Sequence, residues 1–207
     1  MKIIFINYII QEVIVNLLEC YIPVFILITS LRDEPEKYSD YETTRECILD
    51  EIEKAVRETK KISISDSESD SAFYAIIVMV DEVILCSELP FKKIWRDNLL
   101  QIKYFGHSTG GVEFFNILNR IIGTKNKAGH IFLFCLLLGF RGKYSVSSKN
   151  EISSYITKLR SQYELDAENS CVEENRCDKK NKPFNVFLLV TSVIVIYLIL
   201  SLLIYIK

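Results

Sequence analysis

Histidine is nearly absent from this 207-residue chain, which has only His107 and His130. No C-x-x-C spacing accompanies them. A zinc site, which needs clustered thiolate and imidazole ligands, is therefore not expected. Excess positive charge is also missing: 25 Lys and Arg face 27 Asp and Glu, for a net charge of −2. That balance excludes general nucleic-acid binding, which draws on a basic surface. There is no G-x-x-x-x-G-K-[ST] phosphate loop; "GFRGKY" at Gly139–Tyr144 has glycines and a lysine at other spacings. Strand-like alternation of useful length and internal repeats are lacking too. The expectation is one all-α domain without metal or cofactor.

One segment lacks charge altogether. Phe184–Ile206 contains no Asp, Glu, Lys or Arg, and only Asn185, Thr191, Ser192 and Ser201 interrupt its apolar run. A bilayer core is crossed by roughly 20 apolar helical residues, and a helix satisfies its own backbone groups in hydrocarbon. The segment reads as a transmembrane anchor. Lys179, Lys180 and Lys182 precede it and Lys207 follows it, a bias that leaves the N-terminal side in the cytoplasm. The expected organisation is a cytoplasmic helical domain over residues 1–165, a polar linker over 166–183 and the anchor over 184–206.

The other oily stretches read differently. In the N-terminal segment Asn7, Gln11, Glu12, Asn16 and Glu19 share half of a helical wheel. This favours an amphipathic core helix over a signal peptide or second span. "AFYAIIVMVDEVILC", Ala72–Cys86, carries Asp81 and Glu82 and reads as a buried helix. "SDYE" at Ser39 reads as a capping box, with Cys47, Ile48, Ile52 and Val56 on the buried face that follows. "KKISISDSESD" reads as a solvated acidic loop. After Pro90, the stripe Ile94, Trp95, Leu99, Ile102 and Phe105 predicts one helix. Val112, Phe115, Leu118 and Ile122 predict the next, and "HIFLFCLLLGF" a short core helix ended by its glycines. Ser148 and Glu151 form a further capping box. Cys20, Cys47, Cys86 and Cys135 fall in apolar periodic segments and read as reduced small hydrophobes. Cys171 and Cys177, in the polar linker, form the one pair suited to redox exposure.

Two patterns could carry chemistry. Gly106–Gly110, "GHSTG", matches the G-x-S-x-G elbow of serine hydrolases, with Ser108 as nucleophile. That motif requires a preceding strand, whereas Trp95–Phe105 has helical spacing. The competing reading is a helix–helix loop with Ser108 or Thr109 near an N-cap. Asp81 and Glu82 are adjacent on a helix and so point about 100° apart, which does not make them a shared acid–base pair. They read either as buried acids bonded to backbone amides or arginine, or as docking acids.

Three blocks in order, "VDEVIL", "YFGHSTGGVEFF" and "LLLGFRGKY", together with the anchor, resemble the DotU/TssL family. Its members (also called IcmH) are inner-membrane components of type VI and related type IV secretion systems. Asp81, Glu82, Phe105, Gly106, Gly111, Phe114, Phe115, Gly139, Phe140, Gly142 and Tyr144 fit the family pattern as structural or docking positions. His107 stands where members often carry an acid, and Val112 where they often carry glutamate. The resemblance implies a hook-like cytoplasmic domain of two small helical bundles, without enzymatic activity. Its implied partners are a large IcmF/TssM-like inner-membrane protein and the secretion baseplate, with homo-oligomers a further option. Ending at Lys207, the chain is expected to lack the peptidoglycan-binding domain that some relatives add. The alternatives are a membrane-tethered hydrolase using Ser108 and a generic tail-anchored adaptor.

Overall fold

The computed structural model describes residues 17–144 and 150–163, all within one compact unit that ends at Tyr163. The expected linker, anchor and Ser148 cap, Cys171 and Cys177, and the first 16 residues lie outside this range. Among the described residues there are helices and no strands. No helix there is long and apolar enough to cross a membrane.

The N-terminal core helix α1 spans Leu17–Asp33. Leu17, Cys20, Tyr21, Val24, Phe25, Ile28 and Leu31 are buried at helical spacing. A 3₁₀ turn, Pro35–Lys37, leads to α2, Tyr41–Thr59. Its N-cap is Asp40 rather than Ser39: the Asp40 carboxylate accepts the Thr43 amide at 2.9 Å. The buried face of α2 runs Thr44, Ile48, Ile52, Ala55 and Thr59, so Cys47, one position off that line, is exposed. Cys86, at the end of its helix, is exposed as well, so of the four described cysteines Cys20 and Cys135 are the ones that behave as core hydrophobes.

Helix α3, Asp66–Cys86, is the centre of the fold. It starts earlier than its apolar run. Ser65 Oγ accepts the Glu68 amide at 3.2 Å while the Glu68 carboxylate accepts the Ser65 amide at 3.0 Å. This capping box turns the acidic end of the expected loop, from Asp66 on, into the start of α3, where acids suit the helix dipole. The pair α1–α2 packs on α3, and so do α4 (Lys92–Asp97), α5 (Leu100–Phe105), α6 (Gly110–Ile121) and α7 (Gly129–Leu137). The two sets of helices share one connected core, because α3 is buried from Tyr74 to Asp81 without interruption.

Between Trp95 and Phe105 the chain makes two short helices, not one. The break at Asn98–Leu99 leaves the first amides of α5 without partners, and these are taken up by a side chain from α3, described below. Ile94 and Ile102, assigned to a buried stripe by spacing, are about half exposed in consequence. Val112 is exposed too, because the buried face of α6 runs through Phe114, Phe115 and Leu118. Helix α7 ends in a Schellman turn: Phe140 N donates to Cys135 O at 3.0 Å and Gly139 N to Leu136 O at 3.1 Å. Gly139 sits at φ 101°, a conformation open to glycine at little cost. Residues 150–163 form α8, which lies against α6 and α7 through Leu159, Tyr155 and Tyr163.

Candidate functional site

Asp81 is fully buried on α3, and its carboxylate accepts four hydrogen bonds. Oδ1 takes Trp95 Nε1 at 2.8 Å and the Leu100 amide at 3.0 Å. Oδ2 takes the Gln101 amide at 2.9 Å and Gln101 Nε2 at 3.2 Å. One acid thus caps the first turn of α5 from outside and fixes the tryptophan of α4. Leu99, at the N-cap position, supplies no side-chain cap of its own. Gln101 passes the arrangement on, for its Oε1 accepts the Gly110 amide at 2.9 Å and caps α6. Thr109, in the N-cap position of α6, makes no capping bond.

Glu82, one residue on, faces a different element, as a 100° step requires. Its carboxylate accepts the Arg141 amide at 2.7 Å and the Gly142 amide at 2.9 Å, holding the turn after α7 against α3. Burial pushes both carboxyls above their ordinary range, and the amide donors that bond their charged forms oppose that rise.

The three sequence blocks therefore meet in space. Gly111, at the start of α6, touches Gly142 so closely that a methyl on Gly111 would lie 2.9 Å from the Gly142 Cα. Phe114, Phe115 and Phe140 close the contact behind the glycines: Phe114 and Phe140 have ring centres 4.1 Å apart, and Tyr144 sits edge-on to Phe115 at 4.6 Å. Phe105 and Gly106 stand apart from this cluster. Phe105 ends α5 against Tyr74, ring centres 4.5 Å apart, and Gly106 takes the left-handed C-cap at φ 75°. Because the obstacle to a Gly111 side chain is backbone, Gly111→Ala should cost about 1–3 kcal/mol of stability by overpacking. Urea denaturation measures this, and a variant as stable as the parent would show that the turn can retreat.

A cleft of about 620 Å³ opens beside these positions, lined among others by Glu82, Gly111, Phe140, Arg141 and Ser108. Arg32, at the end of α1, reaches its rim and donates Nη1 to Leu138 O at 2.9 Å. Nothing in the sequence pattern marked Arg32, because its partner is a carbonyl 106 residues away.

The serine motif has a different context from a nucleophile elbow. The element before Ser108 is helix α5, where the elbow requires a strand. His107 Nδ1 is 3.1 Å from Thr109 Oγ1, and His130 stacks on Tyr163 with ring centres 3.6 Å apart. Ser108 lies in the loop between two helices, the competing reading of "GHSTG". Among the described residues no group of three or more His, Cys, Asp or Glu could hold a metal.

Among the described residues the fold is all-helical, and Asp81 and Glu82 tie the loops around the cleft. The chain belongs to the DotU family: the family model for the type VI secretion system protein DotU matches residues 16–206. It is similar to the cytoplasmic domain of TssL from Acinetobacter baumannii at 26% identity and TM-score 0.65, over 73% of this chain and 98% of that one. TssL from Vibrio cholerae matches at 22% identity and TM-score 0.60, over 70% and 93%. DotU from Francisella novicida matches at 19% and 0.53, over 68% and 95%. The latter two show the fold alone. No curated protein sequence matches the chain. Membership of this family makes the protein a structural component of a secretion system.

Proposed function

We propose that this chain is a non-enzymatic docking module of the type VI secretion membrane complex. Residues 184–206 hold it in the bacterial inner membrane, with its helical domain hook-like and cytoplasmic. It engages an IcmF/TssM-like membrane protein and presents the domain to the baseplate. One observation carries the reading. Asp81 and Glu82 are spent on backbone amides that shape the loops around a cleft, so the site's acids build a surface rather than poise a proton. The lysine bias before the apolar segment supports the topology.

Affinity capture of the tagged full-length chain should recover the large membrane protein and baseplate subunits together. Recovery of neither, from cells with an active machine, would overturn the docking role. Ser108→Ala should leave secretion at the parental level in cells without the native copy. Loss of secretion, with expression and helical content unchanged, would bring back the hydrolase.

A further inference from the structure

Of the seven large hydrophobic side chains exposed among the described residues, four stand together. Ile22 and Ile26 are one turn apart on α1, and Phe134 and Leu137 one turn apart on α7. The two helices pack on each other, with the Phe25 and Phe134 ring centres 5.5 Å apart. No Asp, Glu, Lys or Arg falls between Ile22 and Leu31 or anywhere in α7, so the strip is uncharged along both helices. It ends where Arg32 bonds to Leu138 O, at the rim of the cleft.

The chain carries a matching apolar surface directly before α1. Residues 1–15 include just two charged side chains, Lys2 and Glu12. Ile3, Ile6, Ile10, Val13 and Ile14 share the half of a helical wheel that faces away from Gln11 and Glu12. Asn16 and Glu19 have the spacing of a capping box, and Val15 and Cys20 hold the positions of its hydrophobic staple. These signals mark a helix start at Leu17, so the chain before Asn16 is a separate element that enters α1 at an angle. As a helix that element spans about 22 Å, which equals the length of α1 from Leu17 to Arg32. It is long enough to cover the whole strip. It also lies ahead of the family match, which begins at residue 16.

We propose that residues 2–15 fold back as an amphipathic helix antiparallel to α1, with their apolar half on Ile22, Ile26, Phe134 and Leu137. Attachment at Leu17 favours this occupant over any from outside, because a tethered segment is present at high effective concentration. A second copy gains too little here: four partly covered side chains fall well short of the roughly 800 Å² that each partner buries in a stable complex. The contact is internal to the domain, so it stands or falls separately from the docking role.

Phe5 and Tyr8 are chymotrypsin sites within the segment. With the full chain in phosphatidylglycerol–phosphatidylethanolamine nanodiscs, cleavage there should be about tenfold faster in Ile26→Glu than in the parent, the scale of removing one buried isoleucine from a contact. Ile26 is 64% exposed on the domain, so the charge leaves the core alone, and circular dichroism checks this. Ile102→Glu, at an exposed isoleucine off the strip, should cleave at the parental rate. Benzoylphenylalanine at position 26 then identifies the occupant, and mass spectrometry should find it joined to residues 2–15 of the same chain. Equal cleavage of the parent and Ile26→Glu would overturn the proposal, as would the same acceleration in Ile102→Glu. Crosslinks between isotope-labelled and unlabelled chains would make the strip a face between two copies. Capture of lipid alone would make it a membrane-facing surface. In either case the fold-back assignment would fall.

Discussion

Asp81→Ala is expected to cost about 3–5 kcal/mol of stability, the scale of removing one partner from a buried charged network. The substitution strands four donors at once. Trp95 Nε1 and the Leu100 and Gln101 amides all donate to this one buried carboxylate. Each buried, unsatisfied donor carries a desolvation penalty of about 1–3 kcal/mol, part of which local relaxation recovers. The loss should spread along a defined route. Without Asp81 the start of α5 is uncapped, Gln101 loses its anchor, and the Gly110 amide of α6 loses Gln101. Asp81→Asn tests the account more finely. It keeps the volume but replaces an acceptor oxygen with an NH₂ that must face a donor. It should therefore recover only part of the loss. Urea denaturation, with Trp95 fluorescence as the local signal, measures both variants. Parental stability in Asp81→Ala would mean that water replaces the carboxylate, and the acid would not be the organiser of α4, α5 and α6.

What was legible in the sequence follows from the range of the interaction involved. Helices α3, α6 and α7 have apolar patterns that need no partner to be recognised, and Gly139 marks a helix end by local chemistry. The divergence of Asp81 and Glu82 also follows from helix geometry alone. The break between α4 and α5 was not legible. Ile94 to Phe105 keeps helical spacing throughout, and the cap that allows a new start at Leu100 comes from a residue 19 positions earlier. The start of α3 was missed for a different reason. Its capping box at Ser65 and Glu68 opens about two turns before the first core residue, Ala72, so polarity read as loop. Arg32 carries no local signal, since its role depends on an element that only the fold brings near.

Truncation near Lys182 should separate fold from function. The shortened chain is expected to remain soluble and helical, because it keeps every residue of the core formed among the described residues, from Leu17 to Leu159. Circular dichroism checks this half. The same chain should fail to support secretion in cells without the native copy, a loss far larger than any single surface substitution would cause. The reason is concentration rather than contact. A docking module held at the bilayer meets its membrane partners at an effective concentration set by its tether, commonly in the millimolar range for short linkers. Released into the cytosol, the same surface must bind at the cell's ambient concentration of the chain. Normal secretion from the truncated protein would refute the anchored mechanism outright. A replacement span of unrelated apolar sequence then distinguishes two roles for residues 184–206. If it restores secretion, tethering is the whole contribution of the segment. If it inserts and secretion stays lost, side chains of this particular segment pack against a membrane partner, and Asn185, Thr191, Ser192 and Ser201 become the first positions to substitute, since small and polar residues are the ones that bring spans together in lipid.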